Sequence, residues 1–349
     1  MIENINPPDQ FDANGKSILI TGGTGSFGQA FVEHLVSNYT PRRLVVYSRD
    51  ELKQHEMAMK YSPKEYPYLR YFIGDVRDFE RLEMALRDVD LAVHAAALKH
   101  VPIAEYNPFE CIHTNVLGAE NIARAAIRNG VGRVVALSTD KAVNPINLYG
   151  ASKLAADKIF VAANNMGGRI GTTFSVVRYG NVAGSRGSVI PYFRRLVDEG
   201  AAEFPITDDR MTRFWITIEA GVQCVLWTAA NMRGGEIVVP KIPSFKVTDV
   251  AKALDPDKPI KIVGIRPGEK LHETLLTSHE AKYTVELDEY YIVEPVVAAQ
   301  SEGSTSSTWW NLGGPQEIEG RRLEDEDFDY SSDNNPEWIG AEEIRKFLG

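Results

Sequence analysis

The sequence predicts an α/β protein: a doubly wound parallel sheet with a smaller α/β lobe for a substrate. Three observations predict it. Short apolar runs alternate with amphipathic stretches through the first half of the chain, as buried parallel strands alternate with crossover helices. A glycine-rich turn directly follows the first run. From about Asn181 the alternation gives way to irregular loops and short strands, the composition of a lobe over the carboxyl edge of the sheet, where ligands of such folds bind.

Taken in order, SILIT reads as the first strand and FGQAFVEHLVSN as the helix after it. RLVVYS is the second strand, followed by a helical region to about Lys60. YFIGD, FERLEMALRD, LAVHAAA, the long helical segment around CIHTNVLGAENIARAAIRN, and VVALST complete the alternation. In the second lobe, helices are expected near 189–200 and 247–254, with short strands at EIVVP and KIVGI. Residues 298–314 have linker composition, LEDEDFDY is a solvated acidic stretch, and NPEWIGAEEIRKFL is a short amphipathic helix that docks or meets another subunit. The expected division is 1–180 for the dinucleotide domain, 181–297 mainly for the substrate lobe, and 298–349 for a linker and tail; the sheet continues past 180.

The chain has 349 residues, 44% of them hydrophobic, enough for one large or two unequal globular domains. A net charge of −10 argues against nucleic acid or an anionic membrane as partner. In so acidic a protein, an anionic ligand requires a local concentration of Arg and Lys. Cys111 and Cys224 form no disulfide framework and no metal-ligand spacing, so they read as two buried thiols in a reducing compartment. MIENINPPDQFDANGK lacks the basic and apolar regions of a signal peptide, and no apolar run reaches membrane-spanning length. The expectation is a cytoplasmic protein without a metal.

Gly23, Gly25 and Gly28 have G-x-G-x-x-G spacing after a strand and at the start of a helix; Gly22, Gly25 and Gly28 also fit T-G-x-x-G-x-x-G. Such glycines let the backbone turn and approach a pyrophosphate, which amides and a helix amino terminus attract. About twenty residues on, Ser48 and Arg49 precede Asp50. A guanidinium and a hydroxyl suit a 2′-phosphate and favour NADP; the alternative is Asp50 on the ribose with Arg49 an ordinary surface residue.

TGGTGSFG, Gly74–Val76, His94–Ala97 and Tyr149-x-x-x-Lys153 together resemble the extended short-chain dehydrogenase/reductases, over roughly residues 16–290. The resemblance implies a Rossmann fold with Gly22, Thr24, Gly25, Ser26, Phe27 and Gly28 at the cofactor, Asp75 and Val76 at its adenine, and Ala95, Ala96 and Ala97 along the nicotinamide. It makes Tyr149 the redox acid/base and Lys153 the residue that binds ribose and lowers the tyrosine pKa. A Tyr and a Lys four apart do share a helix face, and an ammonium favours a phenolate.

A narrower resemblance rests on YSRDELKQ, FIGDVRD, HAAALKHVPIAEYNP, STDKAVNPINLYGASK, RYGNVAGSRGSV, DDRMTRFWI, GGEIVVPKIPS and GIRPGEKLHE. These are similar to the inverting UDP-N-acetylglucosamine 4,6-dehydratases that begin pseudaminic acid synthesis for flagellin glycosylation. Such enzymes oxidise C4, eliminate water across C5 and C6, and return the hydride to C6. The resemblance places Asp140 and Lys141 as the extra acid and base, Thr139 on the C4 oxygen, and Lys53 beside the cofactor. Lys99, Asn181, Val182, Arg186, Val189, Arg213, Arg266 and Glu269, with Thr139 and Tyr149, are the expected substrate contacts. For Lys141 to act as base its pKa must be depressed, which is expected from burial and neighbouring cations. His94 and His100 are expected to be packing residues. A homo-oligomer is expected. The competing functions are a UDP-sugar 4-epimerase, a dehydratase/epimerase of another L-sugar pathway, and a non-catalytic NADP-sensing scaffold.

Overall fold

The computed structural model describes residues 10–167, 171–185, 187–295, 320–323, 325 and 327–348. Six parallel strands form the centre: β1 (Ser17–Thr21), β2 (Arg43–Ser48), β3 (Leu69–Ile73), β4 (Leu91–His94), β5 (Arg133–Thr139) and β6 (Thr173–Tyr179). Their spatial order is β3-β2-β1-β4-β5-β6. The chain moves outward from β1 to β3, then crosses back to β4. The carboxyl ends of β1 and β4 therefore flank the crevice at which such sheets bind ligands. Strand Ile237–Pro240 extends the sheet beyond β6 in parallel, and Tyr290–Val293, Thr284–Glu286 and Arg321–Arg322 complete ten strands in antiparallel pairing.

Strands β1, β2, β4, β5 and β6 are buried along nearly their whole length because helices cover the sheet, while β3 at its edge is mostly half-buried or exposed. They are α1 (Ser26–Asn38), α2 (Glu51–Lys60), α3 (Phe79–Ala85), α4 (Val101–Tyr106), α5 (Pro108–Ile112), α6 (Gly118–Asn129) and α7 (Leu148–Met166). A π-helical turn, His113–Leu117, joins α5 to α6.

A second group of elements has its own core of Ile190, Phe193, Phe204, Trp215, Phe245 and Ile344. It contains a three-stranded sheet of Asn181–Val182, Thr212–Ile216 and Ser244–Lys246 and a parallel pair of Phe204–Ile206 with Ile260–Ile262. Helices Val189–Asp198 and Val247–Leu254 form where the sequence predicts them. The end of the chain packs into the molecule. Tyr330–Ser331 pairs with Thr274–Leu276, and helix Ala341–Leu348 buries Ile344. The Ser-rich stretch 301–308 lies outside the described residues.

Candidate active site

β1 ends at Thr21, and the chain turns through Gly22 in the left-handed region at φ +65°. A Cβ on Gly22 would lie 2.9 Å from the Ala96 backbone, and one on Gly28 would lie 2.5 Å from Gly23. Side chains would fill this cradle. The loop leads into the amino terminus of α1, capped by Gly25, a geometry that fits the pyrophosphate of a dinucleotide. The Thr24 and Ser48 hydroxyls hydrogen-bond at 2.8 Å and tie the loop to the end of β2.

Beyond β2, Asp50 caps α2. Its Oδ1 accepts from the Lys53 amide at 3.0 Å, and its Oδ2 lies 2.6 Å from Lys53 Nζ. Asp75 pairs with Arg77 through two hydrogen bonds of 3.0 and 2.7 Å. Arg49 lies 3.7 Å from Asp75 and is largely exposed, so it is held loosely at the β2 terminus. Val76 is buried, and its carbonyl accepts from Asn121 Nδ2.

β5 ends at Thr139, and Asp140–Ala142 makes one 3₁₀ turn before α7. Asn147 caps α7, its Oδ1 accepting from the Gly150 amide at 2.8 Å. Gly150 lies so close to the turn that a Cβ would sit 2.2 Å from the Lys141 carbonyl oxygen. That contact brings Tyr149 beside the Asp140–Lys141 pair. Asp140 is fully buried, and its Oδ1 accepts from Thr139 Oγ1 at 2.8 Å and from Lys141 Nζ at 3.1 Å. Lys141 Nζ also lies 3.3 Å from Oε1 of the buried Glu273.

Two electrostatic expectations are corrected here. Burial by itself would lower the Lys141 pKa, but Asp140 and Glu273 outweigh it, and the amine is raised rather than depressed. Burial pushes the Tyr149 phenol up to about 12, opposed chiefly by the charge of Lys141 and a hydrogen bond with Thr139. Lys141, not Lys153, supplies the main opposing charge. Lys153 Nζ donates to the Leu137 carbonyl at 2.6 Å, and burial lowers its pKa.

One cavity of about 580 Å³ gathers most of the predicted residues. The glycine loop, Lys53, Ala95 and Ala97 line one part, and Thr139, Asp140, Lys141, Tyr149 and Lys153 line its middle. Lys99, Asn181 and Val182 line the far side, where the Asn181 Oδ1 is buried without a hydrogen-bond partner. Ala96 abuts Gly22 from behind. Val189 begins its helix after Ser188, which does line the cavity. Arg186 lies outside the described residues. Arg213, Arg266 and Glu269 do not line the wall. Arg213 is buried and donates to the carbonyls of Thr212, Lys270 and Leu271. Arg266 forms a two-hydrogen-bond pair with Glu269; burial alone would raise the Glu269 pKa, but Arg266 and Arg213 hold it low.

His94 is a packing residue, buried with its Nδ1 2.9 Å from Thr21 Oγ1. His100 is exposed and lines the cavity, so it does not belong to the core. Both cysteines are buried and free. No group of His, Cys, Asp or Glu suited to a metal occurs among the described residues.

Sequence reasoning missed two residues. Asn115, in the π-helical turn, binds the Leu98 amide and carbonyl and the Ser152 hydroxyl, holding the Ala95–Leu98 segment against α7. Glu273 stands inside the GIRPGEKLHE motif, but nothing in its local spacing pairs it with Lys141.

A strand order of 3-2-1-4-5-6, a glycine loop after β1 and a Tyr149/Lys153 pair on α7 facing one cavity define an extended short-chain dehydrogenase/reductase. Within that class the chain belongs to the polysaccharide biosynthesis protein family, whose sequence pattern matches residues 18–295. A UDP-N-acetylglucosamine 4,6-dehydratase (inverting) of Campylobacter jejuni subsp. jejuni serotype O:2 is 55% identical, covering 96% of this chain and 98% of that protein. A UDP-glucose 4-epimerase of Rickettsia canadensis is 43% identical over 79% of this chain and 82% of its own. Among solved structures, Pen from Bacillus thuringiensis superposes with a TM-score of 0.84 at 32% identity, covering 96% of this chain and 98% of that one. DesIV, a dTDP-glucose 4,6-dehydratase from Streptomyces venezuelae with NAD bound, superposes with a TM-score of 0.65 at 25% identity, over 73% of this chain and 86% of its own.

Proposed function

We propose that this chain is an NADP-dependent UDP-N-acetylglucosamine 4,6-dehydratase, a hydro-lyase that inverts C5. The observation that carries the proposal is the Asp140–Lys141 pair beside Tyr149 in one cavity, in a chain 55% identical to inverting dehydratases. A 4-epimerase needs only the redox pair. In this reading Asp140 and Lys141, which line the same cavity, supply the further acid and base.

A nicotinamide dinucleotide in the glycine cradle would supply the hydride acceptor for C4 and the hydride donor for C6. Tyr149 takes the C4 hydroxyl proton, with Thr139 hydrogen-bonded to the same oxygen. The resulting 4-keto group acidifies C5. Lys141 removes the C5 proton, and Asp140 protonates the C6 hydroxyl as it leaves as water. Support for NADP comes from Asp50, which is engaged by Lys53, and from Arg49, which is exposed and pairs only loosely with Asp75 at 3.7 Å while Arg77 holds that carboxylate closely. Asn181, Val182 and Lys99 are proposed to meet the UDP-sugar, while Arg213, Arg266 and Glu269 shape the loop behind it. The split into 1–180, 181–297 and 298–349 remains our proposal, as do a cytoplasmic site, a role in pseudaminic acid and flagellin glycosylation, and a homo-oligomer. Exposed Tyr106 and Phe109 on α4 and α5 favour the last of these.

The test is incubation of the purified protein with UDP-N-acetylglucosamine and NADP in D₂O, followed by NMR. The expected product is a 4-keto-6-deoxy-L-hexosamine carrying deuterium at C5. A C4 epimer formed without loss of water would instead establish the epimerase reading.

A further inference from the structure

The steps above leave Glu273 without a task. It is 2% exposed, yet its carboxylate faces three cations. Oε1 lies 3.3 Å from Lys141 Nζ and 3.8 Å from Arg213 Nε, while Oε2 lies 3.9 Å from Lys270 Nζ and accepts no hydrogen bond. Arg213 is engaged by backbone carbonyls, and Lys270 Nζ donates to the Val143 carbonyl at 2.6 Å. The nearest cation is Lys141. The Glu273 backbone is clamped by one residue, since its amide donates to Ser332 Oγ at 2.9 Å and its carbonyl accepts from the Ser332 amide at 2.8 Å. The carboxylate is thus fixed against the Lys141 amine together with Asp140.

An amine takes a proton from carbon only when it is neutral. As the acid of the elimination Asp140 must enter that step carrying the proton it gives up, so Glu273 is the counter-anion of the ammonium, and loss of the Lys141 proton to water would leave that carboxylate buried and unpaired. Transfer to a neighbouring carboxylate avoids that cost, because an ion pair becomes a neutral pair, which a dry cavity favours.

Building on the dehydratase reading, we propose that Glu273 is a positioning residue that receives the Lys141 proton before elimination. One Lys141 N–H bond breaks, one Glu273 O–H bond forms, and nitrogen keeps the electron pair. That pair then takes the C5 proton and restores the ammonium, while Asp140 gives its proton to the departing C6 hydroxyl. The cycle resets when the Glu273 proton returns through Lys141 to Asp140. No proton need leave for solvent to arm the base. Asp140, Tyr149, Arg213, Lys270 and Lys99 also act on these groups electrostatically, and they stay unchanged in the variants below.

The experiment compares wild type, Glu273→Gln and Glu273→Asp as full-length proteins. Elimination from UDP-N-acetylglucosamine is followed by NMR between pH 6 and 9.5, limits that span about the range between free His and Lys pKa values. Wild type should give a flat profile. Glu273→Gln should fall by a factor on the order of 10² near neutrality and regain activity by about tenfold per pH unit, because its base must now lose a proton to solvent. Glu273→Asp should restore the flat profile. A Glu273→Gln enzyme that is slower by one factor at every pH, or as fast as wild type, overturns the proposal. A second measurement needs no substrate: acetylation of Lys141 by acetic anhydride, read by peptide mass spectrometry. Glu273→Gln should label faster than wild type at mildly alkaline pH, because one carboxylate fewer holds the ammonium. Equal labelling rates overturn the role of Glu273. A wild type that labels as expected yet makes no dehydrated sugar overturns the dehydratase reading instead.

Discussion

Tyr149 meets opposing demands. In its proposed role as proton acceptor for the C4 hydroxyl it must reach the phenolate, yet burial pushes its pKa up to about 12 and only Lys141 and Thr139 oppose the shift appreciably. Tyr149→Phe keeps the ring and its packing. It should slow C4 oxidation by a factor on the order of 10²–10⁴ while nucleotide binding persists. Single-turnover absorbance of the reduced nicotinamide, with calorimetry for binding, measures both; near-normal oxidation would assign the C4 proton to another group. Arg49 is the second residue with a separable role. If Arg49 meets a 2′-phosphate as proposed, losing that charge-assisted pair should cost about 1.5–3 kcal/mol. Arg49→Ala should therefore weaken NADP much more than NAD in parallel titrations, and equal weakening would return the ribose to Asp50. The places of both residues in the fold were legible in the sequence because strand end, glycine loop and Tyr-x-x-x-Lys spacing are local patterns. The state of the Lys141 amine was not legible, because it depends on a carboxylate more than a hundred positions away.

Among the elements, β4 carries a titration built into the sheet. His94 is wholly enclosed, and desolvation, helped by the charge of Lys153, lowers its pKa to about 3 from an ordinary 6.5. The unfolded chain therefore binds this proton where the folded one does not. The contribution to stability is complete above pH 6.5 and is lost as pH falls towards 3. Between pH 6.5 and 5 it should remove roughly 2 kcal/mol. Urea unfolding at the two pH values should show that loss in wild type and a smaller one in His94→Asn; identical slopes would mean that His94 accepts a proton without unfolding. Strand β4 and its neighbours were predictable because apolar runs of four to six residues alternating with amphipathic stretches indicate buried parallel strands with crossover helices. The π-helical turn His113–Leu117 has no such signature. It reads as part of one long helix until Asn115 is seen bridging Leu98 and Ser152.

At the scale of the whole molecule, the decisive event is the docking of the 264–273 loop against the turn after β5. Asn147 Nδ2 donates to the Gly268 carbonyl at 2.8 Å, and Lys270 Nζ reaches the Val143 carbonyl. Ser332, from the end of the chain, clamps Glu273 behind them. The sequence by itself determined the doubly wound sheet, the nucleotide loop, the Tyr149/Lys153 pair and the presence of Asp140 and Lys141 beside it. Each follows from periodicity or from spacing within one turn or helix, where chain connectivity sets the distance. Only the tertiary structure decided what surrounds Lys141, that Arg213 and Arg266 stand off the cavity wall, and that the last segment of the chain supports the site. Those contacts join residues separated by long stretches of chain, and their electrostatics depend on burial, which no local pattern records.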